Sequence, residues 1–189
     1  MKHRTLVLAA AICVLTMPAI AEDSSTPYAG QQTRIIKALS SEDINELLEG
    51  EGMGMAKAAE LNGYPGPLHV LTLATELGLT EEQLQKVTAV HDQMSAAAKP
   101  LGAELVEHER VLDQLFAQGK ITSDRLRSET AAIGELQGRL RLVHLAAHLE
   151  TRALLDSDQI ARYERHRGYQ EPSTPTHQHH GEPLTEPLR

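Results

Sequence analysis

The chain has 189 residues, with 26 Asp and Glu against 18 Lys and Arg and a formal net charge of −8. It contains no Trp, one Phe and four Tyr, so it lacks both the basic footprint and the stacking platforms of a nucleic-acid binder, and no such partner is expected. A single cysteine excludes an internal disulfide, and few aromatics imply a core of Leu, Val, Ile, Ala and Met.

The first residues, Met1-Lys2-His3-Arg4, are basic. An apolar run from Leu6 to Leu15 follows, broken at Pro18 and closed by the small-x-small triplet Ala19-Ile20-Ala21. This is the layout of a cleavable signal peptide over residues 1–21, with export to the periplasm and a mature start at Glu22. The run is too short to span a bilayer. Ile12 stands where a lipobox would need a small residue, and Cys13 leaves with the segment.

Residues 22–39 are polar and read as a flexible arm. A helical domain over 40–169 is expected next. Ser40 with Asp43 opens a short helix that continues through Leu47 and Leu48. Gly50, Gly52 and Gly54 interrupt it, and it resumes around Met55 to Leu61. The stretch Asn62-Gly63-Tyr64-Pro65-Gly66-Pro67 is a turn. Pro67 suits the first turn of the following helix, which ends near Leu77 with Gly78 as its left-handed stop.

A long helix is predicted from Glu81 to about Ala117. Its seam of Leu84, Val87, His91, Met94, Ala98, Leu101, Leu105, His108, Leu112 and Leu115 steps alternately by three and four. Pro100 interrupts this run and should kink or split the helix. Gln118-Gly119-Lys120 turns the chain into a partner helix from about Ser123 to Leu154, striped by Leu126, Ile133, Leu136, Leu140, Val143 and Ala147. The short link makes the two antiparallel neighbours. Leu142, Leu145 and Leu149 form a second apolar patch, for which packing against the first and last helices is preferred to a dimer surface. A final helix runs from Ser157 to about Arg167. Residues 170–189 read as a disordered tail carrying His177, His179 and His180. The fold class is all-α, a long antiparallel helical hairpin flanked by shorter helices, with dimerisation expected.

One pattern occurs twice. Leu79-Thr80-Glu81-Glu82-Gln83 opens the long helix, and Leu155-Asp156-Ser157-Asp158-Gln159 opens the last one. In each, the hydroxyl or carboxylate caps the helix and the Gln three residues later reaches back to the cap's N–H. Leu79 with Leu84, and Leu155 with Ile160, supply the hydrophobic staples. The pair resembles the LTxxQ repeats of the Spy/CpxP/ZraP family of small periplasmic chaperones, stress-response modulators and heavy-metal sensors. The first copy matches in full and the second replaces Thr with Asp. The resemblance spans roughly residues 65–169. It implies a non-enzymatic periplasmic stress protein, a homodimer, and as partners metal ions together with unfolded clients or a membrane-bound signalling protein.

His144 and His148, in His-Leu-Ala-Ala-His, lie one turn apart on one helix face, the spacing by which a helix offers two imidazoles to one metal. Leu145 stands where a zinc protease needs Glu, which excludes that reading. A hairpin turning near residue 120 places His91 within a turn of both, as a third ligand, with Met94, Asp92 or Glu150 as a fourth. Such donors suit zinc, nickel, cobalt or copper. Sensors of the resembling family likewise use His, Glu and Met from helices, and the carry-over is limited to His144 and His148. The alternative is that both only hydrogen-bond to carboxylates or water. His108 reads as a satisfied core imidazole. His69 reads as structural, with an approach to the hairpin flank as its alternative, and Met53 and Met55 as core rather than soft-metal ligands. No thiol nucleophile, phosphate loop or other catalytic set is present, so no enzyme is expected.

Overall fold

A computed structural model describes residues 27–169. The expected signal segment and the tail histidines lie outside the described residues. The chain divides into two units, residues 1–33 and 34–189. What is described of the first is a turn over residues 27–30, whose Pro27 carbonyl accepts from the Gln31 side chain at 3.1 Å, and a 3-10 helix, Gln31–Thr33, where the Thr33 hydroxyl donates to the Gly30 carbonyl at 2.9 Å.

The described part of the second unit holds seven α-helices: α1 (Ser41–Glu49), α2 (Lys57–Glu60), α3 (Pro67–Thr72), α4 (Ala74–Leu77), α5 (Glu81–Ala117), α6 (Ser123–Leu154) and α7 (Ser157–Arg167). None of them is long and apolar enough to cross a membrane. Local chemistry accounts for most boundaries. The Ser40 hydroxyl accepts from Asp43 N–H, whose carboxylate accepts from Ser40 N–H. Gly50 and Gly78 both stop helices in the left-handed region. The helix expected from Pro67 to Leu77 breaks at Leu73 into α3 and α4. The run expected to resume from Met55 to Leu61 is confined to α2, after a turn in which Met53 itself takes φ 44°.

The two long helices pack against each other, and α1 packs on α5. One core joins Leu47 of α1, Ala98, Leu101 and Leu105 of α5, and Ile133, Leu136 and Leu140 of α6. Gly102 allows this approach, because a Cβ there would overlap the Leu47 carbonyl. A second core gathers Val70, Leu77, Val87, Leu155, Ile160 and Tyr163 from α3, α4, α5 and the α7 region. α5 is continuous through Pro100, so it is not split. Proline removes one N–H donor at an exposed position, while burial of Ala98, Leu101 and Leu105 on either side holds the helix in place.

Two expectations are corrected here. The arm assigned to 22–39 is packed at its end: Ile36 is buried, and Lys37 bonds Asp113 through its backbone N–H at 3.1 Å and its ammonium at 3.3 Å. Of the patch Leu142, Leu145 and Leu149, only Leu145 is half-buried, and Leu142 and Leu149 stay open. They are 67% and 61% exposed, because the stripe of Ile133, Leu136, Leu140 and Ala147 already turns the opposite side of α6 inward.

Candidate metal and proton-binding site

Both predicted α6 histidines lie under glycine backbones. His144 is 2% exposed, and its Nε2 is buried without a hydrogen-bond partner. A Cβ on Gly52 would stand 3.7 Å from its Nδ1. Burial holds the His144 pKa below the ordinary imidazole value, and the positive charge available on His148 lowers it further.

One turn later, His148 Nδ1 lies 2.7 Å from the Tyr64 carbonyl. A carbonyl only accepts, so Nδ1 carries the proton and donates. The lone pair of the neutral ring is then on Nε2. That atom faces Gly66, whose imagined Cβ would come within 2.9 Å of it. Any side chain at 66 would displace the ring. An Nδ1–H fixed to a carbonyl is the usual arrangement behind a metal-binding Nε2.

Beside this pair sits Glu60, at the end of α2. Its carboxylate accepts from Tyr163 Oη at 2.5 Å, from Tyr169 Oη at 3.0 Å and from Gly66 N–H at 3.2 Å. Arg167 Nε lies 3.4 Å away, and the Nδ1 atoms of His148 and His69 are each 3.8 Å from a carboxylate oxygen. Burial and the anionic partner push the Tyr163 phenol well above its ordinary range. Burial, followed by the charge of Arg167, lowers the pKa of His69. This hub joins α2, the turn at 62–66, α3, α6 and α7. It has no sequence signature, because its members are scattered from 60 to 169 and meet only through the fold. His69 of α3 and His148 of α6 thus lie on the same Glu60 carboxylate.

His91 is placed differently. Its Nδ1 lies 3.3 Å from Asp92 on the same helix, and it hydrogen-bonds to neither His144 nor His148. His108 is satisfied by Glu129 at 2.8 Å, a carboxylate buried on α6 that also lies 3.9 Å from Arg125. Among the described residues, no three or more His, Cys, Asp or Glu side chains are arranged to hold a metal ion. His144 and His148 are therefore the two imidazoles that α6 presents one turn apart, each with Nε2 making no hydrogen bond among the described residues.

No protein-family model matches this sequence, and comparison with curated proteins and with solved structures gives no significant match.

Proposed function

We propose that this chain is a non-enzymatic, exported stress-response protein similar to the Spy/CpxP family, binding transition-metal ions at His144 and His148 as a sensor or signalling modulator. The observation that carries the reading is the buried, unpartnered Nε2 of His144 beside a His148 whose Nδ1 is tied to a carbonyl. Leaving a buried imidazole nitrogen unpaired costs about 1–3 kcal/mol, and a metal ion would relieve that cost. The third ligand comes from His91, His69 or a second copy once the pair is engaged, and the resulting closure is the signal.

The kinship part of the proposal draws support from the two LTxxQ-like repeats, whose glutamines bond to each other. The long helices are read as an antiparallel hairpin. Gln83 bonds the Leu154 carbonyl at the outer ends, and His108 bonds Glu129 nearer the turn.

A second reading, an ATP-independent chaperone, rests on the exposed Leu142 and Leu149 face. That face is a surface for unfolded clients or for a homodimer, flanked by Gly138, which has open space above it.

Calorimetric titration of residues 22–189 with zinc, nickel and copper separates the two, with His177, His179 and His180 replaced by Ala. Micromolar binding abolished by both His144→Ala and His148→Ala supports the metal reading. Absent binding, or binding indifferent to both substitutions, overturns it. Suppressed aggregation of a model client, lost in a Leu142→Ser/Leu149→Ser variant, then supports the chaperone.

A further inference from the structure

A cleft of about 350 Å³ opens between the 53–58 turn and the two long helices, and neither the histidines nor Glu60 line it. Its floor is apolar, formed by the buried Leu47 and Leu105 and the half-buried Met55. Two cations, Lys57 and Arg141, line it, and no Asp or Glu does. Both are exposed, and neither is engaged in an ion pair among the described residues. In a chain with net charge −8, a concave patch holding only positive charge is unusual. At the rim, Met53 takes a left-handed backbone between two glycines, a conformation that costs a non-glycine residue about 1 kcal/mol or more.

We infer that this cleft binds a single-chain amphiphile with an anionic head, a fatty carboxylate. The acyl chain lies on Leu47, Met55 and Leu105, and the carboxylate pairs with Arg141 and Lys57. The chemistry matches on both counts. The volume is within the range of small-molecule sites, which are mostly apolar with a few placed polar groups. An arginine fork accepts a carboxylate in bidentate fashion. Met side chains adapt to flexible chains, so Met53 and Met55 suit a ligand of variable length better than a fixed aromatic wall would. A cationic head is repelled by Arg141 and Lys57, and a zwitterionic one brings its own cation beside them, so both are disfavoured relative to a carboxylate.

The test is calorimetry on residues 22–189 with dodecanoate and with dodecyltrimethylammonium, each kept below its micelle-forming concentration. The expected result is dodecanoate binding with no detectable binding of the cationic analogue or of acetate. Arg141→Glu and Lys57→Glu should each weaken dodecanoate binding at least tenfold while leaving the thermal melt unchanged, since both side chains are exposed. Leu142→Ser/Leu149→Ser should leave binding intact, which separates the cleft from the open α6 face. Equal binding of the two amphiphiles, no binding of dodecanoate, or charge-reversal variants that bind like the parent would each overturn the inference.

Discussion

Gln83 and Gln159 exchange amide hydrogen bonds: Gln83 Nε2 donates to Gln159 Oε1 at 2.8 Å, and Gln159 Nε2 donates to Gln83 Oε1 at 3.0 Å. Each oxygen also accepts from its own helix cap, Thr80 N–H or Asp156 N–H, both at 3.0 Å. Gln83 Nε2 reaches the Leu154 carbonyl as well, at 2.8 Å. A residue type selected locally as a capping partner thus also clamps the start of α7 to the start of α5. Buried polar groups linked in this way act together, because the loss of one leaves the others unpaired.

Gln83→Ala removes the return bond of the cap, orphans the Leu154 carbonyl and leaves Gln159 with only the Asp156 N–H and a long 3.5 Å bond to the Gly78 carbonyl. The expected cost is about 2 kcal/mol, the usual size for unpairing buried polar groups. Gln159→Ala should cost a similar amount. The double variant should be less destabilised than the sum of the two, with a coupling of about 1 kcal/mol. Urea unfolding of all four proteins gives the cycle, and additive losses would show that the two amides act separately.

Glu60 is the second joint of α7. Glu60→Ala leaves Tyr163 and Tyr169 without their acceptor and Arg167 without its carboxylate. The expected loss is about 3 kcal/mol, typical of breaking a buried charge-assisted network by removing one partner. Hydrogen exchange locates the effect: amides of α7 and of the 62–66 turn should lose protection, while those in the middle of α5 keep theirs. Uniform loss along the chain would mean that Glu60 supports the whole domain rather than this joint.

Much of this fold follows from local patterns. Ser40, Thr80 and Asp156 cap as their sequence context requires, and no residue of the α5 seam from Leu84 to Leu115 is exposed. Those features depend on spacing within a few turns. The Glu60 hub depends on side chains up to 109 residues apart, so no window of sequence contains it. The positions of His144 and His148 were legible from their separation, but the covering by Gly52 and Gly66 was not, since both glycines also satisfy turns. Ile36 shows the same limit: an isolated apolar residue in a polar stretch carries no period, and its burial follows from tertiary docking.

Two glycines within helices should respond oppositely to the same change. Gly102→Ala places a Cβ against the Leu47 backbone, which has no flexible side chain to yield. α1 must move away from α5, at an expected cost of about 3 kcal/mol, the upper range for overpacking. Gly138 has nothing within 4 Å of its imagined Cβ. Gly138→Ala should stabilise by about 0.5–1 kcal/mol through helix propensity alone. Thermal melts of the two variants check both signs, and a stable Gly102→Ala protein would contradict the close α1–α5 approach.

The pH dependence follows from His144 and His69, both held below their ordinary value of 6.5, chiefly by burial. In the unfolded chain each takes up its proton as pH falls through about 6.5, while the folded protein resists doing so until lower pH. The unfolded state therefore binds more protons in that window, so stability rises with pH and is fully present above it. On acidification it is lost until the folded-state values are passed. Carboxylates held low by hydrogen bonds, such as Asp43 to Ser40 and Glu107 to Arg110, start from ordinary values of 3.8 and 4.5 and act in a more acidic range. The melting temperature in chelator-treated buffer should accordingly fall between pH 7.5 and 5.5. His144→Gln should reduce that slope, and the His69→Gln/His144→Gln double variant should reduce it further. A melting temperature flat across this range, or a slope unchanged in the double variant, would mean that the two imidazoles take up protons in the fold as readily as in the unfolded chain.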